Sequence, residues 1–129
     1  MKPILRITTM LLLCQLLVGC ASSPGSAFTS NKYKDLIVVG FSQVGAESDW
    51  RRANTKSMQD AFTEENGYRL ILDDAQQKQE RQINAIRSFI QQEVDYIVLA
   101  PTTELGWDTV LKEAQAAEIP VIIIDRMIE

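Results

Sequence analysis

Asp125 and Arg126 follow four consecutive aliphatic residues, Val121, Ile122, Ile123 and Ile124, so they emerge where a buried strand would end. An ionised carboxylate accepts hydrogen bonds, and a guanidinium donates them from a rigid planar fork. Side by side, the two match the vicinal hydroxyls of a polyhydroxylated ring. The same pair also reads as a surface ion pair at a strand end. Trp50 and Arg51 form a second such pair. An indole face can lie against the C–H face of a ring while the guanidinium reaches its oxygens. The competing reading makes Trp50 the first core residue of a helix. Ser42 and Glu47 lie in the polar stretch just before it, where a hydroxyl and a carboxylate could bind or could simply solvate a loop.

The hydropathy pattern specifies the elements that would position these groups. Residues 36–41 (LIVVGF) are the unbroken apolar run of a strand buried on both faces of a parallel sheet. Residues 42–49 are polar, contain Gly45 and predict a loop, with Ser48 or Asp49 as the cap of the next helix. Trp50, Ala53, Ser57 and Ala61, with neighbouring Met58 and Phe62, predict one helical face running to about Glu65, stopped by Asn66-Gly67. A second strand (68–72), a polar loop (73–78) and a helix marked by Ile83, Ile86, Phe89 and Ile90 follow. A third strand (96–100) closed by Pro101, a helix marked by Trp107, Val110, Leu111, Ala114 and Ala117, and a fourth strand (120–124) complete the pattern.

Strands alternating with helices through short loops imply right-handed βαβ units. The expected fold is α/β: a Rossmann-like parallel four-stranded sheet, order 2-1-3-4, with flanking helices. Ligands of open α/β sheets bind beyond the carboxyl ends of the strands. Residues 42–52, 73–77, 101–105 and Asp125-Arg126 are therefore the ones that matter. Trp107 shares its period with the third helix and is expected to pack. Residues 76–80 read as a solvated helix start. Asp73 and Asp74, though adjacent, lack a second acidic cluster and make no metal site.

Composition narrows the chemistry. The 129 residues are 46% hydrophobic and 23% charged, ordinary for a globular domain. The net charge of −4 offers nucleic acid no electrostatic footprint. With no histidine in this chain, a Ser-His-Asp or Cys-His nucleophile and a histidine-ligated metal are excluded within it. The first strand leads into SQVGAESDW rather than G-x-G-x-x-G, and no P-loop is present. Neither an enzyme nor a cofactor site is expected.

The N-terminus reads as an address. Lys2 and Arg6 precede an uncharged, mostly apolar run over residues 7–19, the layout of a secretory signal and too short to span a bilayer comfortably. Leu17-Val18-Gly19-Cys20 resembles the lipobox of bacterial lipoproteins, which implies cleavage before Cys20 and lipidation of its thiol. Lipid chains would then hold the protein at the membrane without a spanning helix. The expected domains are a signal peptide (1–19), a Ser/Gly/Pro-rich flexible tether (20–34) and a folded part (35–129). From Cys20 onward 11 basic residues stand against 17 acidic, a net charge of −6.

The folded part resembles the periplasmic sugar-binding proteins of ABC transporters, of the ribose- and galactofuranose-binding type. The resemblance rests on Val39-Gly40-Phe41-Ser42-Gln43-Val44-Gly45 with Glu47-Ser48-Asp49-Trp50-Arg51. It continues through Gln76-Gln77-Lys78-Gln79-Glu80, Arg87-Ser88-Phe89, Ala100-Pro101, Gly106-Trp107 and Ile119-Pro120-Val121 to Asp125-Arg126. It implies the N-terminal lobe only of a type I periplasmic binding protein, the sequence stopping at Glu129 where the family's chain would cross into a second lobe. It also implies that Asp125 and Arg126 bind sugar and that the segment carrying Ser42, Glu47, Trp50 and Arg51 lines the cleft. The implied ligand is a monosaccharide, an aldohexose such as galactofuranose, and the implied partner an ABC permease. A sugar-sensing module coupled to a membrane receptor or histidine kinase is the alternative reading.

Overall fold

The four apolar runs pair into one parallel sheet in a computed structural model that describes residues 35–129. The expected signal (1–19), Cys20 and tether (20–34) lie outside the described residues. The strands are β1 (Ile37–Gln43), β2 (Tyr68–Asp74), β3 (Tyr96–Leu99) and β4 (Val121–Ile123). Their order is β2-β1-β3-β4, with every neighbouring pair parallel, as the alternation predicts. The crossovers are α1 (Asp49–Ala61), α2 (Gln79–Gln91) and α3 (Asp108–Ala116).

Side chains alternate across a strand, so β1 feeds two cores. On one face Val38 packs with Ile86 and Phe89 of α2 and Val110 and Ala114 of α3. On the other, Val39 and Phe41 pack with Met58 of α1 and with Phe62. β1 is buried from Val39 to its end. The edge strands are half-exposed, with Leu72 on β2 and Ile122 on β4 open to solvent. Trp107 is 1% exposed, and its Nε1–H donates to Thr103 O at 2.9 Å. It packs, as its period implies.

Three sequence expectations change. β1 does not stop at Phe41: Ser42 and Gln43 continue the strand, paired with Asp73 and Asp74 of β2, which lengthens in step. Polar residues stay in these strands because the sheet satisfies their backbone groups. The first helix ends at Ala61, and a separate 3-10 turn (Glu64–Asn66) follows. Gly67 closes that turn at φ 84°, a left-handed conformation glycine adopts without strain.

The largest change concerns the face of α1. Of the predicted face, Met58 and Phe62 pack against the sheet as expected, but Trp50, Ala53, Ser57 and Ala61 point to solvent, while Arg51, Asn54 and Thr55 turn inward. The reason is a buried polar anchor. Gln43 is 2% exposed, and its Nε2 donates to Asn54 Oδ1 at 2.8 Å and Thr55 Oγ1 at 3.2 Å. Those bonds turn the helix so that Arg51, Asn54 and Thr55 face the sheet's end while Trp50, Ala53 and Ala61 face water. Trp50 is therefore no core residue, being 54% exposed.

Candidate functional site

The carboxyl ends of the strands carry the predicted groups, and local structure explains how each arrives there. Ser48 caps α1: it has extended backbone, and its Oγ accepts the Arg51 N–H at 3.2 Å. Capping starts the helix at the sheet's edge and places Arg51 in the first turn, on the inward face. At the far side, the chain leaves β4 and Asp125 adopts φ 72°. Gln76 and Gln77, after β2, also have positive φ, at 49° and 61°. Left-handed backbone is costly for non-glycine residues and tends to collect at functional sites. The loops are stitched to the strands: Gln77 N–H donates to Val44 O at 2.7 Å, Ala100 N–H to Ser42 O at 3.0 Å and Ile124 N–H to Leu99 O at 3.0 Å.

Arg51 is the centre of the arrangement. Its Nε lies 2.8 Å from Glu47 Oε1, and its Nη2 lies 3.7 Å from Asp125 Oδ2. Its side chain is only 13% exposed. Nη1 is buried without a hydrogen-bond partner among the described residues. A buried guanidinium N–H is costly to leave without an acceptor, and this one has none among the described residues. Arg126 lies exposed beside the pair, its Nη1 donating to Thr102 O at 3.0 Å. Trp50 stands one residue before Arg51 with an open face. Glu47, Trp50, Arg51, Asp125 and Arg126 thus share one edge.

Ser42 does not join them at the surface. It is 0% exposed and lies on the same strand face as Val38 and Gly40, under α2. Its Oγ is buried without a partner among the described residues, as are Asp73 Oδ2 and Thr102 Oγ1. All of these atoms sit at the carboxyl edge, and Asp73 is the register partner of Ser42. The sequence offered no sign of Gln82, a wholly buried amide among them. Its Nε2 donates to Ala100 O at 2.7 Å and its Oε1 accepts Thr102 N–H at 2.8 Å. A lone glutamine in a polar helix start carries no periodic signal.

Burial pushes the Asp73 carboxyl above its ordinary range; Arg81 draws it partly back, and Asp74 adds to the rise. A raised folded-state pKa means that the folded protein holds the proton more tightly than the unfolded chain. Stability then falls as pH climbs through that window, and the penalty persists above it. Asp73→Asn is accordingly expected to raise the urea midpoint at pH 7. The gain should vanish below the ordinary value of 3.8. Destabilisation at pH 7 would show instead that Arg81 holds the carboxylate.

With this geometry in place, the relatives can be compared. The galactofuranose-binding protein YtfQ of Escherichia coli (strain K12) is 48% identical over 84% of this chain and 34% of its own length. The fructose import binding protein FruE of Bifidobacterium longum (strain NCC 2705) is 40% identical over 86% of this chain and 32% of its own. The periplasmic binding protein component of the arabinose ABC transporter from Shewanella sp. ANA-3, solved with α- and β-L-arabinofuranose, superposes with a TM-score of 0.68. It is 54% identical and covers 71% of this chain and 30% of that one. This chain spans about a third of the length of the curated relatives it matches. Residues 39–129 match the family described as "Periplasmic binding protein domain", and with most of its length in that match the chain belongs to that family.

Proposed function

We propose that the carboxyl edge of this sheet is one face of a monosaccharide-binding site, serving an extracytoplasmic solute-binding protein that supplies an ABC importer. The observation that carries the reading is Arg51: a nearly buried guanidinium held between Glu47 and Asp125 with one N–H unpartnered among the described residues. Arg51 and Arg126 balance Glu47 and Asp125, so these four groups together carry no net charge. A neutral polyol suits them better than a charged ligand, because binding would leave no uncompensated ion to desolvate. Carboxylates accept from hydroxyls, guanidiniums donate to hydroxyl and ring oxygens, and the exposed Trp50 ring offers an apolar surface for ring C–H groups.

The relatives named for galactofuranose and fructose, and the neighbour solved with arabinofuranose, support a sugar and favour the furanose form. Within that class the proposed ligand is an aldohexose such as galactofuranose, after the galactofuranose-binding relative. The role is binding rather than catalysis. Glu47, Asp73, Asp74 and Asp125 are carboxylates at this edge, suited to accept hydrogen bonds from ligand hydroxyls.

Trp50 provides the test. Because it is exposed, Trp50→Ala is expected to change stability by less than about 0.5 kcal/mol. Loss of the ring contact should weaken sugar binding by roughly fivefold, about 1 kcal/mol. Urea melts and sugar titrations of the same variant separate the two effects. Unchanged affinity would remove the indole from the site.

Export and anchoring belong to the same reading. Diacylated Cys20 is the proposed mature N-terminus, tethering residues 35–129 to the outer surface of a membrane. Mass spectrometry of the membrane fraction should find a mature chain starting at lipidated Cys20. A soluble protein with an unmodified thiol would contradict the anchor.

A further inference from the structure

Arg126 projects from a short segment beyond β4, and a long, flexible side chain there would lose much rotamer freedom on meeting a ligand. Its guanidinium is nevertheless fixed to one backbone atom, Thr102 O, at 3.0 Å. That peptide segment is itself held by Gln82 of α2. Gln82 is 0% exposed; its Oε1 accepts Thr102 N–H at 2.8 Å, while its Nε2 donates to Ala100 O at 2.7 Å and Ser42 O at 3.4 Å. A single buried amide therefore joins the ends of β1 and β3 to the loop on which Arg126 rests. The preceding Pro101 is also buried, so the chain entering Thr102 is held by packing as well.

We infer that Gln82 is a positioning residue for the binding site. It sets the Thr102 carbonyl, the carbonyl sets Arg126, and the guanidinium meets the ligand already oriented. Gln82 touches no ligand in this scheme and acts only through Thr102. Preorganisation of this kind raises affinity by removing the ordering cost from the binding step. The inference rests on the sugar-site reading for its consequence, but not for the hydrogen-bond chain itself.

Two experiments on the full chain decide it, and the first uses no sugar. Side-chain NMR of Arg126 is compared in the wild type and in Gln82→Met, which keeps the volume and removes the hydrogen bonds. The Arg126 guanidinium is expected to be ordered and slow to exchange in the wild type, and free in Gln82→Met. Gln82→Glu at acid pH, where its protonated carboxyl can accept from Thr102 N–H and donate to Ala100 O, should restore the ordered signal. Should Gln82→Met fail to fold, Gln82→Asn replaces it: a methylene too short to hold Thr102 and Ala100 together, it should free Arg126 in the same way. An Arg126 signal unchanged in a folded Met or Asn variant overturns the inference, as does a Glu variant that behaves like Met at acid pH.

The second experiment titrates L-arabinose and D-galactose. In the wild type, Arg126→Ala should weaken binding by about tenfold, the scale of a charged hydrogen bond. In the Gln82→Met background it should weaken binding by less than about twofold, because the arm is already loose. Full additivity would overturn the inference. A wild type that binds neither sugar would count against the functional reading alone, since the sugar-free comparison still decides the role of Gln82.

Discussion

Joining this chain to the second lobe of a full-length relative, such as the Escherichia coli galactofuranose-binding protein, is expected to tighten monosaccharide binding about a thousandfold, from ~1 mM to ~1 µM. Sites for small ligands bury most of the ligand surface, commonly about 70% or more. The edge built by Glu47, Trp50, Arg51, Asp125 and Arg126 would face a ring from one side only. Hydroxyls on the far side would stay in water, and the charged groups would act at high effective dielectric, where each contact is worth little. Closure of a second lobe over the ligand removes that water and is the usual device of periplasmic binding proteins. Calorimetry on the chain and on the fusion measures the gain. Micromolar binding by the chain alone, or a fusion no tighter than the chain, would contradict the one-sided face.

The second large effect is on folding. Gly40 lies on β1 against α2, where an added Cβ would sit 2.6, 2.7 and 2.9 Å from three carbons of the Phe89 ring. Phe89 is 2% exposed and packed in the larger core, so its ring has little room to withdraw. Gly40→Ala must therefore push α2 off the sheet, and is expected to cost about 2 kcal/mol, within the range for overpacked cores. For a domain of this size that lowers the thermal midpoint by on the order of 10 °C. The partner change Phe89→Leu should recover part of the loss in the double variant. A Gly40→Ala protein as stable as the wild type, or one that Phe89→Leu makes worse, would show that the close approach is not what requires glycine here.

The sheet order was legible in the sequence because apolar runs buried on one or both faces leave a plain trace, and right-handed crossovers restrict their order. The ends of the strands were less so. Ser42, Gln43, Asp73 and Asp74 are polar, yet they extend β1 and β2 because backbone pairing carries them along. Helical periodicity misled for part of α1. Trp50, Ala53, Ser57 and Ala61 make an apolar stripe, but the bonds from Gln43 to Asn54 and Thr55 turn a polar stripe inward. That rotation is also what brings Arg51 to the sheet and leaves Trp50 open. The placement of Arg51, Asp125 and Arg126 at one edge followed from strand ends alone. The contact between Arg51 and Asp125 spans the sheet from α1 to the end of β4, and no local pattern encodes it. Gln82 was invisible for the same reason: its partners lie 20 residues away at Thr102 and 40 away at Ser42.

The most direct test of the sugar-binding face is a chemical-shift titration of the isotopically labelled chain with L-arabinose and D-galactose into the tens of millimolar, ~10–50 mM, where one-sided binding is measurable. The account predicts perturbations clustered on residues 47–52, on Thr102 and on Asp125 and Arg126, with the Trp50 indole and the Arg51 side chain moving most. They should disappear in Arg51→Ala while the remainder of the spectrum keeps its folded pattern. Shifts gathered instead in the open hollow of ≈ 530 Å³ between α3 and β4, lined by Leu111, Ile119, Pro120 and Val121, would contradict it. So would a spectrum that neither sugar changes at all.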